Sequence, residues 1–147
     1  GLTPEMSKAK TCIVERVVHY QFDISEIDPV KVGQHSGYDD IYIYPDAELF
    51  KKAVALHPEL KAVTCASGDR FVGKAEDKIK LHEDFDADIC EMEAAAVALT
   101  CDRSGIPCLI LKTVSDGITG GAEEFIAEVD RSADICLEIT DRIINSI

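Results

Sequence analysis

The chain has 147 residues and carries 15 Lys and Arg against 28 Asp and Glu, a formal net charge of −13. This length suffices for one domain with a real core, and the acidic balance argues against a nucleic-acid partner because no basic surface is present to displace phosphate counterions. No apolar run approaches the roughly 20 residues that span a bilayer. We therefore expect residues 1–147 to form a single domain that engages neither nucleic acid nor membrane.

The first half of the chain alternates an apolar strand, an irregular segment and a helix. Residues 11–20 are β-branched and mostly apolar, which predicts a buried strand. Residues 23–45 are rich in turn-forming residues, and we expect an ordered excursion with a short strand at 41–44. Asp46 is the expected N-cap of a helix over 47–56, where apolar residues recur at helical spacing.

The second half of the chain continues the alternation. Its patterns predict strands over 61–67, 87–90 and 108–114 and helices over 74–83, 92–103 and 125–144. The helix over 74–83 is mostly polar and is expected on the surface, and Gly105 is the expected end of the helix over 92–103. This order predicts an α/β layered domain with a mainly parallel sheet.

The ends of the predicted strands carry the residues that suggest a binding site. Ligands of parallel α/β sheets gather beyond the carboxyl ends of the strands. Residues 67–72 follow one strand, 91–93 follow the next, and Ser115 and Asp116 follow the third. We expect these segments to meet at one edge of the sheet.

Asp116 is the candidate general acid. It follows a strongly apolar strand, where removal from water favours the neutral form of a carboxyl group. Ser115 is placed to hydrogen-bond the carboxyl group and fix its orientation. The structural alternative is that Asp116 only caps a helix or closes an Asx turn.

Four further residues are candidates for substrate binding. Glu93 is placed to accept hydrogen bonds from a vicinal diol such as that of ribose, or else only to complement a helix dipole. Met92 is a candidate to pack on a sugar face, although such a residue is more often part of the core. Phe71 is a candidate to stack on a flat ring whose edge the backbone near Val72 would contact, with ordinary packing as the alternative.

Lys112 lies inside an apolar strand. A buried ammonium group needs a partner or a function, unless the side chain reaches the edge of the sheet.

The cysteines and histidines do not predict a metal site. The six cysteines have neither C-x-x-C nor zinc-type spacing, and most lie in apolar surroundings: Cys12, Cys65, Cys90, Cys101, Cys108 and Cys136. The four histidines also lack metal-type spacing. We interpret the cysteines as reduced, buried core residues of a cytoplasmic protein without a bound metal.

Three segments, taken in order and at their spacing, resemble the nucleoside phosphorylase/nucleosidase superfamily and, within it, the 5'-methylthioadenosine/S-adenosylhomocysteine nucleosidase family. They are residues 66–72 (ASGDRFV), 91–96 (EMEAAA) and 113–116 (TVSD). Residues 1–4 and 17–23 are also similar to that family, so the resemblance covers nearly the whole chain. It implies a three-layer α/β fold with a mainly parallel mixed sheet, hydrolysis of the N-glycosidic bond of an adenine nucleoside, and no metal or organic cofactor.

The resemblance also implies roles for the candidate residues. Asp116 would protonate or hydrogen-bond purine N7, oriented by Ser115, and adenine would leave an oxocarbenium-like sugar. The substrate-binding set would be Phe71 stacked on adenine, the Val72 backbone at its Watson–Crick edge, Glu93 on the ribose hydroxyls, Met92 against the sugar, and Lys112. Lys112 stands where the family usually has an Arg that helps place the water nucleophile.

The chain begins about a third of the way along the family's sequence. The family's opening strands, with a Glu that activates water, have no counterpart in residues 1–147, so we expect a truncated and catalytically incomplete polypeptide. A purine nucleoside phosphorylase and a nucleoside-binding protein without turnover remain as alternatives. The resemblance further implies a homodimer whose partner helps wall the pocket for the 5'-substituent, near residues 23–37.

Overall fold

The computed structural model describes residues 1–147, along which strands and helices alternate. The strands are β1 (Thr11–His19), β2 (Tyr42–Ile43), β3 (Lys61–Ser67), β4 (Ile89–Glu91) and β5 (Leu111–Thr113). The helices are α1 (Ala47–Leu56), α2 (Ala75–Phe85), α3 (Ala94–Ser104) and α4 (Gly121–Ile144). The predicted alternation is confirmed, and none of these helices has both the length and the apolar character to cross a membrane.

The five strands form one mixed sheet around β1. Strands β1, β3 and β4 run parallel to one another, in the order β1-β3-β4. Strands β2 and β5 are antiparallel to β1 and pair with different parts of its other edge. Strand β5 pairs with Thr11–Ile13, and β2 pairs with Val17–Val18. The three parallel strands therefore send their carboxyl ends to one side of the molecule.

Helices cover both faces of the sheet, so the domain has three layers. On one face Ile13 of β1 packs with Ala53 of α1 and Ile143 of α4. On the other face Val14 belongs to a cluster that includes Ala98 of α3. The small residues of α3 allow this close approach, and the apolar side chains of β1 are buried because both of its faces are covered.

Local signals placed the first elements correctly. The predicted helix over 47–56 is α1 without change, and the Asp46 carboxylate accepts hydrogen bonds from the main-chain N–H groups of Glu48 and Leu49, as expected of an N-cap. The predicted strand over 61–67 is β3. Gly105 ends α3 in the left-handed conformation, with φ of 64°.

Several predicted boundaries are wrong. The strand expected over 108–114 is shortened to β5 because only Leu111–Thr113 lies in register with β1. Helix α4 begins at Gly121 and not at 125, since Glu124 accepts a hydrogen bond from the main-chain N–H of Gly117 (2.8 Å) and folds the preceding turn onto the helix. Helix α2, expected to lie only on the surface, buries Lys78 and Leu81.

Candidate active site

One cavity of about 530 Å³ brings together all the residues predicted to form a site. Its walls come from the segment after β3, from β4 and β5 with the segments that follow them, and from one side of α4. The predicted residues that line it are Phe71, Val72, Met92, Glu93, Lys112, Ser115 and Asp116. The sequence-based expectation that these segments meet at one place is confirmed by the geometry.

Asp116 lies at a buried part of this cavity. Only 9% of its surface is exposed. The Ser115 hydroxyl donates a hydrogen bond to Asp116 Oδ1 (3.2 Å), as the sequence predicted. The amino group of Gly1 donates to the main-chain carbonyl oxygen of Asp116 (2.6 Å), which fixes the backbone at this position.

Lys78 of α2 is the second partner of the Asp116 carboxyl group. Its Nζ donates a hydrogen bond to Asp116 Oδ2 and another to the carbonyl oxygen of Gly117 (2.6 Å). The Lys78 side chain is only 1% exposed, so the pair is withdrawn from water on both sides. An adjacent ammonium group favours the carboxylate, which opposes the effect of desolvation that the sequence suggested for Asp116.

Glu91 and Lys112 form a second ion pair in the same cavity. Lys112 Nζ lies 2.6 Å from Glu91 Oε2 and 3.5 Å from Glu93 Oε2. The Glu91 carboxylate also accepts hydrogen bonds from the main-chain N–H groups of Glu93 (3.0 Å) and Ala94 (2.8 Å). Lys112 therefore has the partner that a lysine in an apolar strand requires, and Glu91 caps the start of α3.

The electrostatics of this pair favour both charged forms. Burial raises the pKa of Glu91, but the Lys112 ammonium and hydrogen bonds from Lys112, Ser67 and the Glu93 N–H more than offset it, so the net pKa lies below its ordinary value. Burial lowers the pKa of Lys112, and contact with Glu91 raises it by more, so the net pKa lies above its ordinary value. The pair is thus ionised at neutral pH.

Glu93 stands at the N-cap position of α3. Its side chain makes no capping hydrogen bond and is mostly exposed, with Lys112 as its ionic neighbour. Lys112 Nζ contacts only Glu93 Oε2 at 3.5 Å, so the exposed carboxylate keeps capacity to accept hydrogen bonds from a ligand in the cavity.

The apolar part of the cavity combines an exposed ring with a buried support. Phe71 is 44% exposed and meets Phe125 of α4 edge to face, with ring centroids 5.3 Å apart. Val72 is buried, whereas Met92 is half-exposed at the cavity wall. A flat ring bound here has one aromatic face available for stacking.

Lys78 and Glu91 are the site residues that sequence reasoning missed. Lys78 lies on the same helical face as Leu81 and Phe85, which was the available signal that a polar helix buries a lysine. Glu91 stands next to the chosen Glu93 in the same short motif, and no local pattern tells which carboxylate will cap the helix. No group of three or more His, Cys, Asp or Glu side chains is arranged to hold a metal ion.

The domain is a three-layer α/β domain whose one cavity is lined by the Glu91–Lys112 ion pair, the Asp116 carboxyl group and the half-exposed Phe71 ring. The sequence profile of the Phosphorylase superfamily matches residues 1–145. The chain belongs to that superfamily.

Curated relatives carry the names of two kinds of nucleosidase. The aminodeoxyfutalosine nucleosidase of Campylobacter jejuni is 32% identical over 155 residues, which cover 97% of this chain and 66% of that protein. The 5'-methylthioadenosine/S-adenosylhomocysteine nucleosidase of Hydrogenovibrio crunogenus is 33% identical over 122 residues, which cover 79% of this chain and 52% of that protein.

A solved structure shares the fold. The 5'-methylthioadenosine/S-adenosylhomocysteine nucleosidase of Helicobacter pylori, complexed with a pyrrolidinol inhibitor that carries an aminopyrrolopyrimidine group, superimposes with a TM-score of 0.90 at 26% identity. The match covers 99% of this chain and 64% of that chain. The chain therefore spans between about half and just under two thirds of the length of these relatives.

Proposed function

We propose that the protein takes part in hydrolysis of the N-glycosidic bond of adenine nucleosides, with release of adenine. The observation that supports the proposal is one cavity lined by the buried Asp116 carboxyl group, the half-exposed Phe71 ring and the mostly exposed Glu93 carboxylate. These groups supply an acid, a stacking surface and a diol acceptor. Relatives named as nucleosidases support the same chemistry.

In the proposed reaction Asp116 acts on purine N7. The Asp116 carboxylate first takes up one proton from solvent. That proton moves to N7 while the bond between the sugar C1' and N9 breaks, and the bonding electrons pass to the purine. Water adds to C1' and returns one proton to solvent, so the overall proton count is unchanged and Asp116 is again a carboxylate. Protonation makes adenine a better leaving group, and the cavity keeps the catalytic carboxyl group in a fixed position.

The remaining cavity residues would bind the two halves of the nucleoside. Phe71 would stack on adenine, and the backbone of Val72 would contact its Watson–Crick edge. Glu93 would accept hydrogen bonds from the ribose hydroxyls, with Met92 against the sugar. Lys112 holds Glu91 and Glu93 in place from the opposite wall.

We propose methylthioadenosine and adenosylhomocysteine as substrates. Aminodeoxyfutalosine is a further candidate substrate, because one relative is named as its nucleosidase.

We also propose that the protein is a homodimer in the cytoplasm, with residues 23–37 near the pocket for the 5'-substituent. Light scattering coupled to size exclusion tests the dimer, and a monomer at all concentrations would count against it.

The decisive experiment follows free adenine by chromatography. The purified protein is incubated with methylthioadenosine or aminodeoxyfutalosine, with and without phosphate, beside Asp116→Asn. Adenine that forms without phosphate and is lost in the variant supports the proposal. Calorimetric binding of both nucleosides without adenine would instead indicate a nucleoside-binding protein without turnover.

Phosphorolysis is the second candidate reaction because the chain belongs to the Phosphorylase superfamily. Phosphate would then replace water as the nucleophile at C1'. Adenine release that requires phosphate, with a sugar phosphate as the second product, would favour this reaction over hydrolysis.

A further inference from the structure

Helix α2 contributes a lysine that the proposed reaction does not yet use. Lys78 is the largest of the fully buried side chains, and its ammonium group has two acceptors, Asp116 Oδ2 and the carbonyl oxygen of Gly117. Burial of a lysine is costly unless its charge is compensated. The compensating charge is the carboxylate to which we assign the chemistry.

We propose that Lys78 is a positioning residue for Asp116, which holds its carboxyl group in one orientation and stabilises the carboxylate that forms when the proton leaves. This inference rests on the proposed function for the reaction it serves. The contact itself is independent of that function.

The orientation of Asp116 follows from its two neighbours. Lys78 Nζ donates a hydrogen bond to Oδ2, while Oδ1 accepts a single hydrogen bond from the Ser115 hydroxyl at 3.2 Å. The hydrogen bond from Lys78 to the Gly117 carbonyl oxygen anchors the ammonium group to the backbone that follows the acid. The carboxyl plane is thus set from two sides, and Oδ1 is the oxygen with capacity left for a ligand.

The charge of Lys78 acts on the proton transfer. As the Asp116 proton moves to purine N7, the carboxyl group becomes a carboxylate, and Lys78 keeps all of its own protons. A fixed ammonium beside that carboxylate makes the transfer more favourable.

Other ionisable groups face this pair from the elements around it. The Gly1 amino group lies against the Asp116 backbone, and its own pKa is lowered by burial. The Cys90 thiol of β4 interacts with both partners, and burial raises its pKa. From α4, the Glu124 carboxylate accepts a hydrogen bond from the Gly117 N–H. Among Lys78 and these three groups, only Lys78 donates a hydrogen bond from a cationic group to the Asp116 carboxyl oxygens.

The test compares Lys78→Met and Lys78→Arg with wild type, and uses Lys80→Met as the matched control because Lys80 is an exposed lysine on the same helix. Adenine release from methylthioadenosine is measured against pH. For Lys78→Met we expect a maximal rate at least about 10-fold lower than that of wild type. We also expect the decline of the rate at high pH to occur about 1 pH unit or more higher than in wild type. Lys78→Arg keeps the charge, so the decline of its rate at high pH should occur where it does in wild type. Lys80→Met should behave as wild type.

A second readout does not depend on turnover. The Asp116 carboxyl carbon is followed by NMR titration and assigned by its absence in Asp116→Asn. The carboxyl group should titrate at higher pH in Lys78→Met than in wild type. The double variant Lys78→Met/Asp116→Asn, which removes both charges, serves to separate this effect from misfolding, with circular dichroism as the check.

The outcomes separate the two proposals. The role of Lys78 would be overturned if the Asp116 carboxyl titration were unchanged in folded Lys78→Met. It would also be overturned if the maximal rate and the pH at which the rate declines matched those of wild type. A displaced titration in a protein that neither binds nor cleaves adenine nucleosides would overturn the proposed function and leave the Lys78–Asp116 relationship standing.

Discussion

The Glu91 carboxylate and the Lys112 ammonium meet at 2.6 Å although their strands are not neighbours in the sheet. Strands β1 and β3 lie between β5, which carries Lys112, and β4, which carries Glu91. The contact requires the sheet to curve strongly, because flat neighbouring strands are spaced about 4.8 Å apart. The ion pair thus joins two walls of the cavity and caps α3 at the same time.

Replacement of Glu91 by Gln should destabilise the fold. The substitution removes the charge that compensates Lys112 and weakens the cap of α3, so we expect a loss of about 1–3 kcal/mol in the free energy of unfolding. Urea unfolding followed by circular dichroism measures it. Glu48→Gln is the control, since Glu48 forms an exposed pair with Lys51 and should change stability by less than about 0.5 kcal/mol. Equal losses in both variants would contradict the prediction.

The contribution of Glu91 should depend on pH in a defined direction. Its pKa in the folded protein lies below the ordinary value of 4.5. A lowered pKa of an acid gives stability that is fully present above the unfolded pKa and is lost as pH falls through the folded pKa. The stability difference between wild type and Glu91→Gln should therefore be constant near neutral pH and shrink below pH 4.5. Urea unfolding from pH 7 to about pH 3 tests this, and a difference that grew in acid would refute it.

Phe71→Ala should weaken binding of an adenine nucleoside with little effect on stability, because the ring is half-exposed and faces the cavity. Loss of stacking worth about 0.5–1.5 kcal/mol raises the dissociation constant of methylthioadenosine up to about 10-fold. Calorimetry gives the value, with Phe71→Tyr expected to retain affinity. Ile126→Ala, at an exposed apolar position on α4, should bind as wild type does. Undiminished binding by Phe71→Ala would exclude the stacking role.

Lys112→Arg should preserve the site, whereas Lys112→Met should not. The guanidinium fork is able to reach the Glu91 and Glu93 carboxylates together, while Met leaves Glu91 without its cation. We expect adenine release by the Arg variant to equal or exceed wild type, and release by the Met variant to fall about 10-fold or more as its carboxylates lose their positions. Lys51→Met, an exposed position, is the control. A Met variant as active as wild type would show that Lys112 does not organise the site.

The sequence was most informative where a local rule determined the structure. Asp46 supplied a cap and 47–56 a helical apolar pattern, so α1 was predicted without error. The length of β5 was not predictable in this way, because it depends on register with β1, a pairing across about a hundred residues. Lys78 shows the same limit for the site, since its burial results from a partner 38 positions away, Asp116. The strand ends still placed the candidate residues in one cavity, but not through parallel topology alone, since β5 runs antiparallel to β1. The contact between Lys112 of β5 and Glu91 of β4 shows that the curved sheet brings these two strands together.

Helix α2 docks on the domain through the buried Lys78 and Leu81, with the partly buried Phe85 packed beside Leu81. Parts of a protein can open with free energies below that of global unfolding, and we expect α2 to open in this way without loss of the sheet. Each such opening would move the Lys78 ammonium away from Asp116. We therefore expect the fraction of molecules that contain this contact to follow the docking equilibrium of one helix, which hydrogen exchange of the α2 amides measures.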